Sequence, residues 1–280
     1  MNDVTTRPPV DLFDPHDHGF DADRLARIAP FLAKHYVEPG RLPNTQLLIA
    51  RDGKAIYYDR QGIGREDGSP LRDDALFRIA SMTKPVTSIA FMMLVEQGRI
   101  ALEDKVTSII PEFEGIGVYT GGGGAAPFAP VRHPPPMRMV DLMTHMSGLT
   151  YGFQNRTNID AAYRESELDF ARKNLTSDEF IGVLAKLPLE FAPGKGWNYS
   201  VSTDVLGIIV ERLTGMRLGD YFEENIFGPL GMVDTAFGCS PEKAGRLVDA
   251  YAYRPGKKPR LVDEAAKSDL LKPGLFDSGG

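Results

Sequence analysis

The sequence predicts a protein of mixed α/β class (α+β), with an antiparallel hairpin near its start and a long helical segment behind it. The hairpin is indicated by two short apolar runs, Gln46–Ala50 and Ala55–Tyr58, on either side of an Asp-Gly turn pair. A strong helix is predicted from about Met82 to Gln97, since its apolar residues share one face and Gly98 is a natural stop. The pattern over residues 138–240 is mostly helical.

The remaining elements follow from local signals. Asp21 is a plausible N-cap for a helix that runs through Leu25, Ile28, Phe31 and Leu32. Residues 115–136, with four consecutive glycines and three consecutive prolines, indicate a surface excursion. Leu247–Tyr253 gives a weak strand signal. Further helices are predicted at Met139–Thr144, Ser177–Lys186, Ser202–Leu213 and Leu218–Ile226.

We therefore expect residues 1–20 to form a flexible N-terminal arm and residues 21–280 to form one domain, with a helical subdomain at about 85–240. A net charge of −6 argues against nucleic acid or an anionic membrane surface as a partner. The single cysteine, Cys239, allows no intrachain disulfide. The start lacks the pattern of a signal peptide, and the longest apolar run, Ile89–Val95, is too short to span a bilayer. These features predict a cytoplasmic protein; they do not specify its oligomeric state.

The first motif with chemical meaning is Ser81-Met82-Thr83-Lys84 at the start of the predicted helix. A helix N-terminus favours a developing anion, and residues three apart lie on one face, so the Lys84 amine can reach the Ser81 hydroxyl. A serine hydroxyl is a poor nucleophile until a base accepts its proton, and a buried lysine can do so. The spacing alone is weak, because Ser240-Pro241-Glu242-Lys243 has it too. That copy has no strong helix behind it, and we interpret it as a chance match.

The second motif is Trp197-Asn198-Tyr199-Ser200-Val201-Ser202, which follows a Pro-Gly turn. A phenolate stabilised by a neighbouring cation can relay a proton, which makes Tyr199 a candidate partner of Lys84. On its own, however, such a tyrosine is more often a packed surface aromatic.

Together these segments resemble the serine β-lactamase-like superfamily, in particular the class C β-lactamases and family VIII carboxylesterases. The stretch Phe77–Pro85 resembles the nucleophile segment, Tyr199 follows the Pro-Gly turn as in the family's Tyr-x-Asn motif, and Leu142–Leu149 resembles a recurrent structural turn. The resemblance implies a β-lactamase/transpeptidase-like antiparallel sheet flanked by helices. It also implies Ser81 as nucleophile, with its own N–H as one oxyanion donor, and Lys84 and Tyr199 as proton-handling partners. Such chemistry acts on a small-molecule ester and needs neither a cofactor nor a metal.

One departure from the family motif bears on the substrate. Val201 stands where the lactamases have an asparagine that binds the amide of the antibiotic side chain, and valine cannot make such a hydrogen bond. We therefore place Val201 in the substrate-binding set and predict a carboxylesterase. A β-lactamase or D-alanyl-D-alanine peptidase, an acyltransferase of the same superfamily, and a non-catalytic pseudoenzyme or binding module remain alternatives.

Two other readings have little support in the sequence. His145 and Ser147 suggest a Ser-His-Asp triad, but no Gly-x-Ser-x-Gly motif occurs in the chain. His16 and His18 with nearby aspartates suggest a metal site, but a terminal arm is a poor cage, and we interpret them as solvated.

The family's third motif, Lys-Thr-Gly or a Trp-x-Gly or His-x-Gly variant, supplies the second oxyanion donor, and we find no Lys-Thr-Gly here. The resemblance therefore implies that the third motif lies beyond residue 280, and that the sheet is incomplete in this C-terminally truncated chain.

Overall fold

The computed structural model describes residues 10–129, 134–169 and 174–279. Within them the chain divides into two compact units. The first is built from the described residues up to Arg78 and from Gly238–Lys272, and the second from Ile79–Phe237 and the residues from Pro273 onward. Residues 1–9 of the predicted arm and residues 130–133 of the predicted excursion lie outside the described residues.

The first unit contains the predicted hairpin. β1 (Asn44–Arg51) pairs antiparallel with β2 (Lys54–Gly62), and the register shifts once, between Ile49 and Ala50. Asp52 and Gly53 connect the strands with φ values of 50° and 74°. Positive φ at both residues gives a turn whose twist matches that of the strands, which is why an Asp-Gly pair predicts this hairpin. The hairpin prediction is confirmed, with strands longer than the apolar runs.

A second small sheet lies in the same unit. β3 (Ala250–Ala252) lies within the weak strand signal at Leu247–Tyr253 and pairs antiparallel with β4 (Arg260–Asp263), which lies outside it. This sheet is separate from the hairpin, and the sequence did not predict its second strand. Strands of three and four residues are too short for an alternating pattern to be recognised.

The N-terminal helix is broken in two. Asp21 caps α1 (Ala22–Leu25) by accepting the backbone N–H of Arg24 at 3.1 Å, as predicted. The chain then turns before α2 (Ile28–Leu32), which continues as a wider helical turn over Ala33–Val37. Pro30 explains the break, because a proline has no N–H to donate and is tolerated only in the first turn of a helix.

The second unit is mostly helical. Its two longest helices are α3 (Thr83–Glu96) and α7 (Ser202–Thr214), which pack against each other. Every residue of α7 from Ser202 to Val210 is buried, so this helix is the centre of the unit. None of the described helices is long and apolar enough to cross a bilayer. The other helices are α4 (Met139–Met143), α5 (Asn158–Glu165), α6 (Ser177–Leu184) and α8 (Leu218–Phe222), the last continued by a wider turn over Glu223–Phe227.

The segment after Pro273 is part of this helical core. Phe276 is buried and stacks on Phe180 of α6 with ring centroids 5.0 Å apart. Asp277 accepts the N–H of Gly219 at 3.2 Å and pairs with Arg217 at 3.0 Å. Thr87 of α3 donates to the carbonyl oxygen of Gly279 at 2.7 Å. The segment after Pro273 therefore contacts α3, α6 and α8.

The turn after α4 contains a glycine that no other residue can replace without cost. Gly148 has a φ of +85°, and a Cβ there would lie 2.2 Å from the carbonyl oxygen of Phe191. We expect Gly148→Ala to destabilise the protein by about 3 kcal/mol, because backbone strain and overpacking add. Gly98→Ala is the matched control, with a φ of +70° and nothing within 4 Å of the added Cβ. Urea unfolding of both variants separates the cost of backbone strain, which both share, from the cost of overpacking at residue 148. Equal unfolding midpoints would contradict the prediction.

Candidate active site

The predicted nucleophile lies on a tight turn at the start of α3. Ser81 is the middle residue of the helical turn Ala80–Met82, and its side chain is exposed. Ala80 has a φ of +43°, a sparsely populated conformation for a residue with a Cβ. One turn further on, Lys84 is buried and its Nζ lies 3.4 Å from Ser81 Oγ. The Ser-x-x-Lys spacing therefore brings an exposed hydroxyl to a buried amine.

Two tyrosines lie over the same amine. Lys84 Nζ is 4.8 Å from the ring centroid of Tyr199 and 5.3 Å from that of Tyr151. Lys84 also donates a hydrogen bond to the Tyr151 hydroxyl at 3.0 Å. The structure thus brings together the three predicted residues and adds Tyr151, which the sequence analysis missed. The one sequence cue for Tyr151 is its position two residues after Leu149, at the end of the segment that resembles a recurrent structural turn.

Behind Tyr151 lies a buried carboxylate. Tyr151 donates to Asp204 Oδ2 at 3.2 Å, and Ser278 donates to Asp204 Oδ1. Burial raises the pKa of Asp204 to about 6, against the opposing effects of the Ser278 hydrogen bond and the Lys84 charge. Burial, and then the Asp204 charge, hold the pKa of Tyr151 far above its usual value, so Tyr151 stays protonated. The result is a continuous chain of four side chains from Lys84 to Ser278.

A second polar chain begins at His145. Its Nδ1 lies 3.2 Å from Ser200 Oγ, and Ser202 Oγ lies 2.7 Å from both Ser200 Oγ and Ser147 Oγ. The three serines are fully buried, whereas the His145 ring is tilted against Tyr199 with centroids 5.0 Å apart. His145 and Ser147 therefore belong to a hydrogen-bonded chain without a carboxylate, and not to a Ser-His-Asp triad.

One direction of this second chain satisfies every hydroxyl group in it. If Ser147 donates to Ser202, Ser202 to Ser200 and Ser200 to His145 Nδ1, every hydroxyl hydrogen has an acceptor. In the reverse direction the Ser147 hydroxyl would need another acceptor in a site without access to water, which costs free energy. The favoured direction requires a neutral His145 with its proton on Nε2. Burial and, to a smaller extent, the charge of Lys84 together lower its pKa from 6.5 to about 4.

The neutral state of His145 has a consequence for stability. Between pH 6.5 and about 4 the unfolded chain binds a proton at His145 that the folded protein does not, so the free energy of unfolding falls as the pH falls. We expect His145→Asn to reduce this acid-induced loss, since asparagine does not titrate and tolerates the φ of 58° found here. Thermal melts of both proteins at pH 7 and pH 4.5 test this. An unchanged difference between the two pH values would show that His145 does not contribute.

The other predicted features are placed as follows. Val201 is 1% exposed, belongs to the hydrophobic core and donates its N–H to the Thr150 carbonyl at 3.2 Å. Its role in substrate binding, like that of the Ser81 N–H as oxyanion donor, stays a prediction.

Ser240, of the second Ser-x-x-Lys spacing, lies in the first unit and outside any helix. Among the described residues, no group of three or more His, Cys, Asp or Glu side chains could hold a metal ion.

An exposed serine one turn before a buried lysine, with tyrosines over the lysine, defines a protein of the Ser-x-x-Lys class. The family model described as Beta-lactamase matches residues 32–270, and the chain belongs to this family. The chain is 36% identical over 234 residues to Esterase EstB of Burkholderia gladioli, covering 82% of this chain and 56% of that protein. It is 34% identical over 208 residues to Lovastatin esterase of Penicillium rubens, covering 72% of this chain and 50% of that protein.

Solved structures agree with this assignment. The fold is similar to that of EstCE1, described as a hydrolase with promiscuous acyltransferase activity, with a TM-score of 0.76 and 25% identity. That match covers 92% of this chain and 68% of the other. The prediction of a β-lactamase/transpeptidase-like fold is thereby confirmed. The chain spans about half the length of the curated relatives it matches.

Proposed function

We propose that this protein is a serine hydrolase that cleaves carboxylic esters through an acyl-enzyme on Ser81. Ser81 Oγ attacks the ester carbonyl carbon while its proton passes to the Tyr199 and Lys84 pair. The C–O bond to the alcohol then breaks, and the same pair returns the proton to the departing oxygen. Water, activated in the same way, attacks the acyl-enzyme and releases the acid and free Ser81.

The observation that carries the proposal is the 3.4 Å separation between Lys84 Nζ and the exposed Ser81 Oγ. This distance is close enough for proton transfer to follow a small adjustment when substrate binds. Exposed apolar side chains next to these residues favour a substrate with an apolar part: Met82 follows Ser81, and Phe153 stacks on Tyr151 at 4.8 Å. The names of the relatives, an esterase and a lovastatin esterase, support the same class of substrate.

Acyl transfer to an alcohol is the second candidate. It differs only in the acceptor of the second step, and one relative, 37% identical over 196 residues, is named Acyltransferase calJ of Penicillium decumbens. A β-lactamase or D-alanyl-D-alanine peptidase is less well supported, because Val201 offers no hydrogen bond to an amide. The proposed reaction needs no metal or cofactor, and its partner is a small-molecule ester.

Covalent labelling tests the proposal. A fluorophosphonate probe reacts with an activated serine, and we expect peptide mass spectrometry to locate it on Ser81. Short-chain p-nitrophenyl esters should be hydrolysed far more efficiently than nitrocefin, and an added alcohol should reveal any acyl transfer. Labelling confined to Ser147 or Ser240 would overturn the assignment. Nitrocefin turnover equal to ester turnover would overturn the choice of substrate.

A further inference from the structure

We propose that Asp204 is a positioning residue for this reaction, which fixes the Tyr151 hydroxyl as a hydrogen-bond donor and so reserves the role of base for Tyr199. The inference rests on the proposed function, since it concerns the proton partners of Ser81. It assigns a role to a buried carboxylate that does not contact Ser81 in the structure.

The direction of the hydrogen bonds carries the argument. An ionised carboxylate can only accept, so the Tyr151 hydroxyl donates to Asp204 Oδ2 across the 3.2 Å contact. The lone pairs of Tyr151 then face Lys84, whose ammonium donates to them at 3.0 Å. Ser278 donates to the other oxygen of Asp204, so both carboxylate oxygens are engaged. Each member of the chain thus has its donor or acceptor role set by Asp204.

This arrangement distinguishes two tyrosines that lie over one lysine. A Tyr151 phenolate would place a second negative charge 3.2 Å from the buried Asp204 carboxylate, which burial makes costly. No such carboxylate contacts the Tyr199 hydroxyl among the described hydrogen bonds, and the Tyr199 ring lies on the same ammonium. Tyr199 is therefore the tyrosine that can accept the Ser81 proton, and Tyr151 is a fixed anchor for Lys84.

The charged groups around the chain agree with an ionised Asp204 at neutral pH. Lys84 of α3 faces Asp204 and favours its charged form, as do the hydrogen bonds from Tyr151 and Ser278. Tyr199 and Asp169 also act on Tyr151, and both favour its protonated phenol. Asp169 also accepts the backbone N–H groups of Gly152 and Phe153, each at 2.7 Å, and so fixes the loop that presents Tyr151.

A double-mutant cycle separates a positioning role from a structural one. Asp204→Asn and Tyr151→Phe should each lower kcat for p-nitrophenyl acetate about ten- to a hundredfold with little change in KM, because neither residue touches the substrate. If Asp204 acts through Tyr151, the double variant should be no slower than the slower single variant. The wild-type pH profile should lose activity as the pH falls through about 6, where Asp204 takes up a proton, and this limb should flatten in both single variants.

Asp249→Asn is the matched control. Asp249 is a buried carboxylate in the first unit that accepts the N–H groups of Glu66 and Ala265 at 2.8 and 2.6 Å. We expect this variant to be less stable but to keep the wild-type acid limb. Multiplied losses in the double variant, or an acid limb kept in Tyr151→Phe, would overturn the proposal, and the second outcome decides even if Asp204→Asn does not fold. Failure of the fluorophosphonate to label Ser81 in the wild-type protein would instead overturn the proposed function.

Discussion

Ser81→Ala is expected to lower kcat/KM for ester hydrolysis by a factor on the order of 10⁵ or more, because no other group replaces the attacking oxygen. The exposed position of Ser81 implies that the change costs little stability. Initial rates with p-nitrophenyl acetate, at enzyme concentrations high enough to measure the residual activity, give the factor. A thermal melt that matches the wild type would show that the loss is chemical.

Ser240→Ala is the natural control for this variant, since Ser240 precedes Lys243 with the same spacing. The structure places Ser240 outside any helix, and we expect wild-type rates. Comparable losses in both serine variants would point to a general effect on folding. Full activity in Ser81→Ala would remove the basis of the proposed function.

Lys84→Met is expected to lower kcat by a factor of roughly 10³, the range found for general acid–base groups. Methionine has a similar length and suits a buried site, but it cannot hydrogen-bond to Ser81 or Tyr151. Because Ser81 and Lys84 act in the same step, the double variant Ser81→Ala/Lys84→Met should be no slower than Ser81→Ala alone.

Lys243→Met is the matched control for the lysine, and we expect it to keep wild-type kcat. Steady-state kinetics of the four proteins, with kcat and KM determined separately, complete the comparison. A Lys84→Met variant with wild-type kcat would show that the proton of Ser81 leaves by another route. Losses that multiply in the double variant would show that the two residues act independently.

The part of the site that could be predicted from sequence is the part encoded locally. Ser81 and Lys84 are three residues apart, so a helix alone brings them together. Tyr199 was found through its motif and its Pro-Gly turn. No motif marks Tyr151 or Asp204 as functional residues, because Tyr151 meets Lys84 across 67 residues and Asp204 across 53. These contacts form only when α3, α7 and the segment that carries Tyr151 pack together.

In the fold, too, the elements with a clear local signal could be predicted and the others could not. The hairpin, α3 and α7 were predicted because each has a turn pair or a periodic apolar face long enough to recognise. The break between α1 and α2 was missed, although Pro30 marks it, because the apolar spacing continues across it. β3 lies within the weak strand signal at Leu247–Tyr253, whereas β4 was missed because four residues are too few for an alternating pattern.

The Ser278–Asp204 hydrogen bond joins residues 74 positions apart, and this has a consequence for the order of folding. The contacts within each helix of the second unit are local in sequence, so these helices can form early. The segment after Pro273, in contrast, is separated in sequence from the rest of its unit by Gly238–Lys272, so its docking closes a long loop. Until it docks, the Asp204 carboxylate lacks one of its two donors. We therefore expect refolding to regain helical circular dichroism before it regains reactivity of Ser81 towards a fluorophosphonate, with the delay set by the closure of this loop.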